Sequence, residues 1–140
     1  MNIYADNAAT TKLSPRAKDA MMPYFDELFG NPSSLHTPGQ LAKQALESAR
    51  ERIAAALGAA PAEIYFTSGG SEADVQAITS AAKFGERKGK KHIISTAFEH
   101  HAVLHTLENL EKQGFEVTLL PVHEDGVVRL EDMEEALRPD

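Results

Sequence analysis

Three groups of residues in this 140-residue chain combine side-chain types and spacing that suit chemistry. Ser68-Gly69-Gly70-Ser71 follows a short β-rich run and opens a helical pattern. At the amino end of a helix the first amides lack carbonyl partners and the helix dipole favours negative charge. The N–H groups at Gly69, Gly70 and Ser71 therefore suit a phosphate, and the Ser71 hydroxyl adds a further bond. The competing reading has Ser68 capping the helix while the glycines serve only a tight strand-to-helix turn. Spacing alone favours that reading, because the run is neither a Walker loop nor a GxGxxG turn. Glu72, in the first turn, is expected to point away from a bound anion and to supplement the cap.

The second group is Glu99-His100-His101, which opens another helix. An imidazole at position 100 suits stacking on a planar cofactor or moving a proton near neutral pH. From position alone, a locally bonded residue at the helix start is the simpler reading. His101 and His105 stand one helical turn apart with Glu99 nearby, a spacing compatible with a metal. There is no HExxH pattern and no evident third ligand, so solvated helix surface is favoured and no metal is assigned. The third group, Asn31-Pro32-Ser33-Ser34-Leu35-His36, is a polar loop of the kind that borders sites. Its plainer reading is a turn with Ser34 or Thr37 capping the next helix. Ala8-Ala9-Thr10-Thr11 either line a pocket or lead into the first helix.

The elements that would position these groups are read from pattern. Ser14-Pro15 is an N-cap followed by a first-turn proline, and the spacing predicts a helix to about Phe29. Gly30-Asn31-Pro32 must end it, and the loop is expected to reach Gly39. Leu41, Ala45, Leu46, Ala49, Ile53, Ala56 and Leu57 recur at three- and four-residue steps, which marks an amphipathic helix stopped near Gly58. Strands are predicted at 63–67, 92–95 and 115–120, and helices after 71, over about 99–113 with Val103, Leu104, Leu107 and Leu110 inward, and over 130–137. Val127-Val128 is a short strand at best. This βαβαβ order predicts an α/β fold with a parallel sheet and a ligand site outside the carboxyl ends of the strands.

Composition narrows the tasks. The length suits one domain. A net charge of −7 argues against nucleic acid as a partner, and no apolar run approaches a membrane span, so no membrane association is expected. Zero cysteines exclude a disulfide scaffold, a thiolate metal site and a cysteine nucleophile within these residues. The lack of a basic-then-apolar leader over residues 1–12 favours the cytoplasm. Three parallel strands with two helices between them leave an uncovered edge, an arrangement that usually calls for more chain, so a fragment is suspected.

Four blocks in register carry a family resemblance across the whole chain: Ile3-Tyr4-Ala5-Asp6-Asn7-Ala8-Ala9-Thr10-Thr11, Phe29-Gly30-Asn31-Pro32-Ser33-Ser34 with His36, residues 63–73 from Glu63 through Ser68-Gly69-Gly70-Ser71-Glu72-Ala73, and Glu99-His100-His101-Ala102-Val103. Together they resemble the N-terminal part of the cysteine desulfurases of the NifS and IscS type, among the class V aminotransferase-like, fold type I pyridoxal-phosphate enzymes. The resemblance implies a three-layer αβα large domain with a mostly parallel seven-stranded sheet, incomplete here. Residues 1–40 would be the N-terminal helix and active-site loop segment, and residues 41–140 the first half of the large domain. It also implies a homodimer, pyridoxal 5′-phosphate as cofactor, L-cysteine as substrate and a sulfur-acceptor or scaffold protein as partner.

Carried over by motif, Gly70 and Ser71 would bind the cofactor phosphate, and His100 would stack on the pyridine ring and help proton transfer. Ala8, Thr10 and Asn31 would approach the substrate or the dimer-facing pocket. Ser71 stands where the family usually has Thr, which keeps the hydroxyl, and Val75 where it usually has Asn, which removes a polar group. The family's Schiff-base lysine, pyridinium-pairing aspartate, nucleophilic cysteine and carboxylate-binding arginine have no counterparts here, so these 140 residues alone are expected to be inactive. A selenocysteine lyase or another class V enzyme is the nearest rival reading, and a stand-alone binding or dimerisation module the rival from another class.

Overall fold

The structure, a computed structural model, describes residues 3–140 and divides into two compact units, Met1–Tyr65 and Phe66–Asp140. The length alone suggested one domain; the core cluster lies in the second unit, while the first buries only Gly39, Ala42 and Ala54 among its described residues.

In the first unit, Ser14 Oγ accepts a bond from the Ala17 amide at 3.1 Å and Pro15 occupies the first turn of α1 (Pro15–Met21). The single helix expected to run to Phe29 is instead broken by Pro23. Its ring removes a donor and clashes with the preceding turn, so the chain restarts as the short α2 (Pro23–Asp26). The helix α3 (Thr37–Leu57) begins three residues before the expected Gln40, capped by the His36 side chain rather than by Ser34 or Thr37. It ends as expected at Gly58, whose φ of 68° is the left-handed conformation that frees the last carbonyls to accept from Gly58 and Ala59. Of the expected apolar stripe on α3, Ala45, Leu46 and Ala49 are half-buried while Leu41, Ile53, Ala56 and Leu57 are exposed; the buried positions of the helix are Gly39, Ala42 and Ala54, off that stripe.

A 3-10 turn, Pro61–Glu63, follows, and residues 64–67 run on without strand pairing. The strand expected at 63–67 is therefore not formed: a strand exists only where a ladder partner accepts and donates, and none stands beside this run among the described residues. Tyr65 in this run is 72% exposed, while Ile64 and Thr67 are half-buried.

The second unit starts with α4 (Gly70–Glu86), reverses through residues 87–91, and continues as β1 (His92–Thr96), α5 (His101–Glu111), β2 (Glu116–Leu120) and α6 (Leu130–Ala136). The expected β at 127–128 is absent. The strands β1 and β2 pair in parallel from His92 opposite Glu116 to Thr96 opposite Leu120, so a single βαβ unit stands where βαβαβ was expected. A bond of 2.7 Å between His92 Nε2 and Thr118 Oγ1 ties the two strands by side chain as well. Leu110, Phe115 and Ala82 form the core, with Ile78 and Ile93 against it. On α5, Leu107 and Leu110 point inward as expected, joined by Thr106, whose hydroxyl donates to the Ala102 carbonyl at 2.7 Å. No helix among the described residues is long and apolar enough to cross a membrane.

Two glycines weld the loop before α3. A Cβ on Gly39, which is buried, would lie 2.5 Å from the Ser34 carbonyl oxygen and 2.7 Å from that of Asn31, and one on Gly30 would lie 2.1 Å from that of Pro38. Backbone cannot give way as a flexible side chain can. Gly39→Ala is expected to cost about 1–3 kcal/mol, the usual penalty of overpacking, seen as a lower denaturant midpoint of the full-length chain. An unchanged midpoint would show that the loop yields.

Candidate active site

The chain reverses tightly between α4 and β1, with the Lys90 amide bonded to the Gly85 carbonyl at 2.9 Å. Ile78, Ala82 and Gly85 of α4 line one hollow with His92, Ile93 and Ile94 of β1. After Thr96 the chain turns directly into α5, so His100 stands just beyond the carboxyl end of β1.

At the bend, Gly69 is extended, and the space where a Cβ of Gly69 or Gly70 would stand is open to at least 4 Å. The helix cap is Gly69, without a side-chain cap bond, so Ser68 does not serve as the expected cap. Glu72 reaches back instead: one carboxylate oxygen accepts from the Ser68 amide at 2.7 Å and from the Ser68 hydroxyl at 2.6 Å. The bend is further held by Thr67 Oγ1, which donates to the Gly69 carbonyl at 3.1 Å. With its charge turned onto Ser68, Glu72 leaves the first-turn amides facing outward. A phosphate fits this arrangement, which offers an open glycine surface, unbonded amides at a helix start and the exposed Ser71 hydroxyl.

His100 caps α5. Its Nδ1 accepts from the Ala102 amide at 3.1 Å, which is the local bonding that position alone suggested. Because Nδ1 accepts, the neutral ring carries its proton on Nε2, and that exposed edge is left for a ligand. Glu99 accepts from Thr96 Oγ1 at 2.8 Å, so it is engaged with the strand end rather than with His101 and His105. Among the described residues no group of three or more metal-ligating side chains comes together.

Ala8, Thr10 and Asn31 belong to the first unit. The amides of Ala9 and Thr10 both donate to the Asp6 carbonyl, closing a turn that leaves Ala8 and Thr10 exposed. Asn31 Oδ1 accepts from the Ser33 amide at 2.9 Å, which makes the loop an Asx turn and fixes the Asn31 side chain. The His36 cap, bonded to the Gly39 amide at 3.4 Å, and the Ser68–Glu72 clasp were not anticipated in these roles. A serine four residues before an acid at a helix start is the signal for the clasp, displaced by one position from the usual capping box.

A model of the aminotransferase class-V family matches residues 3–140. The chain belongs to this family. Among curated relatives, the class V proteins named cysteine desulfurase IscS from Clostridium botulinum and Methanosarcina thermophila are each 51% identical, over 96% and 99% of the chain. The chain spans 34% of each of them, about a third of their length. Among solved structures, a NifS-like protein superimposes with a TM-score of 0.92 at 40% identity, covering 100% of this chain and 38% of that one. DndA from Streptomyces lividans gives 0.82 at 43% identity over 99% of this chain and 38% of its own. A structure of SspA in complex with cysteine gives 0.83 at 40% identity over 94% and 38%. The fold is thus the class V α/β fold, with the βαβ unit forming an incomplete part of its αβα domain. Class V enzymes of this kind depend on pyridoxal phosphate, and the open bend is chemically suited to its anionic tail.

The Ser68 bonds lower the Glu72 pKa below its ordinary 4.5. A carboxylate with a depressed folded pKa contributes stability above the unfolded value and loses it as pH falls through the folded one, so the clasp should outlast ordinary carboxylate titration. An NMR titration is expected to place the Glu72 midpoint below 4.5, with the Ser68 amide shift following the same curve. A Ser68 shift that ignores the Glu72 titration would show the clasp to be absent in solution.

Proposed function

We propose that this chain is the phosphate-cradling N-terminal part of a pyridoxal-phosphate-dependent cysteine desulfurase. The enzyme converts L-cysteine to L-alanine and passes sulfur, as a persulfide, to an acceptor or scaffold protein serving iron–sulfur cluster or thio-cofactor assembly. The observation that carries this reading is the open bend at the amino end of α4, in a chain 51% identical to relatives named for that activity.

Each residue has a physical part. The amides at Gly70 and Ser71 and the Ser71 hydroxyl hold the phosphate, where the α4 dipole adds to the attraction. His100, held at Nδ1 by the Ala102 amide, would stack on the cofactor ring and hold or move a proton at Nε2. Ala8, Thr10 and Asn31, in the first unit, are assigned toward the substrate by the family resemblance alone. When bound, pyridoxal phosphate supplies the electron sink for bond breaking at the amino acid. Residues 1–40 act as the helix and active-site loop segment, and residues 41–140 as the first half of the cofactor-binding domain. The reading carries with it a homodimer and a cytoplasmic setting. It also requires a lysine and a cysteine outside these 140 residues, since the sequence here contains no cysteine.

In the full-length chain, purified enzyme is expected to release sulfide from L-cysteine. Ser71→Ala should weaken cofactor binding roughly tenfold, the worth of one bond to a charged group. His100→Ala should lower kcat by about a hundredfold while leaving the thermal midpoint within a few degrees. Unchanged turnover alongside a lost thermal midpoint would reject the His100 role. Amino transfer without sulfide release would reject desulfuration.

A further inference from the structure

On α5 the residues facing the interior are Thr106, Leu107 and Leu110, all buried. His101, His105 and Glu108 are all exposed on the same short helix, at i, i+4 and i+7. The imidazoles of His101 and His105 lie nearly parallel, 15° apart in plane with centroids 5.4 Å apart. His105 Nδ1 stands 3.2 Å from Glu108 Oε2. That carboxylate draws the ring proton to Nδ1 and leaves the Nε2 lone pair directed outward. Neither ring nitrogen of His101 makes a hydrogen bond among the described residues. His100, 6.2 Å from His101 between centroids and tilted by 57°, is committed to its own cap bond and stands apart from this pair.

Two histidines one turn apart on a helix can share one metal ion, and a carboxylate behind a ligating histidine fixes its tautomer and raises its basicity. Neutral imidazoles suit borderline divalent ions, with Cu²⁺ bound most tightly. We propose that His101 and His105 form a two-imidazole chelate for a divalent transition metal of the Cu²⁺, Ni²⁺ and Zn²⁺ class, with Glu108 orienting His105 and water completing the shell. Both rings are exposed and can turn about their side-chain bonds toward one ion, while the buried residues of α5 keep the backbone spacing constant. This site is independent of whether a phosphate occupies the bend.

The test uses the full-length, untagged protein and Cu²⁺ alone, buffered by a weak competitor. Calorimetry is expected to show a site lost in His101→Gln and in His105→Gln, each weakening it by more than about tenfold, since outer partners alone are worth that much. Electron paramagnetic resonance of the wild-type complex should show coupling to two imidazole nitrogens, reduced to one in either variant. Glutamine keeps helix propensity at these exposed positions, and circular dichroism checks that each variant is folded. Wild-type Cu²⁺ affinity in either folded variant, or a spectrum without imidazole coupling, overturns the proposal.

Discussion

Parallel pairing of β1 with β2 is the constraint from which the rest of the second unit follows. Two strands running the same way cannot be joined by a hairpin, so the chain must cross back over the sheet, and α5 is that crossing. A crossover helix begins where the preceding strand ends. This delivers His100 to the carboxyl end of β1. The position of that imidazole is thus a consequence of strand direction, before any particular side chain is considered.

The energetics of the helix starts rest on unsatisfied backbone. Both helices start with amides that have no carbonyl beneath them, yet the two starts are resolved differently. On α5 the imidazole of His100 takes up one donor directly. On α4 there is no side-chain cap; Glu72 bonds outward to Ser68 and braces the turn without covering the amides. One helix start is closed and the other left open, and an open start beside glycines is where an anion gains most. The cost of leaving donors free is small while water reaches them, which the exposure of the bend allows.

Apolar surface remains open outside the core around Leu110. Leu35 is 93% exposed, Phe29 73% and Tyr65 72%, and residues 64–67 form no strand ladder among the described residues. The chain spans about a third of the length of its curated relatives.

Much of this was legible in local sequence. Ser14-Pro15 and Gly58 mark helix ends by chemistry that acts within four residues, and the spacing of Leu107 and Leu110 marks an inward face whatever lies against it. The glycine bend and His100 were legible for the same reason, as signals of helix starts. What residues 63–67 become was not legible, because pairing depends on a partner distant in sequence, and β propensity says only that a strand is possible. Nor was the break at Pro23, where one ring outweighs a continuous apolar pattern, or the Ser68–Glu72 clasp, which depends on a backbone bend that brings the carboxylate round to the preceding amide. Sequence by itself determined the helix ends marked by Ser14-Pro15 and by Gly58, because capping and glycine conformation are short-range. Only the tertiary structure decided which strands pair and which helix start stays open, because those outcomes depend on how the backbone folds around each segment.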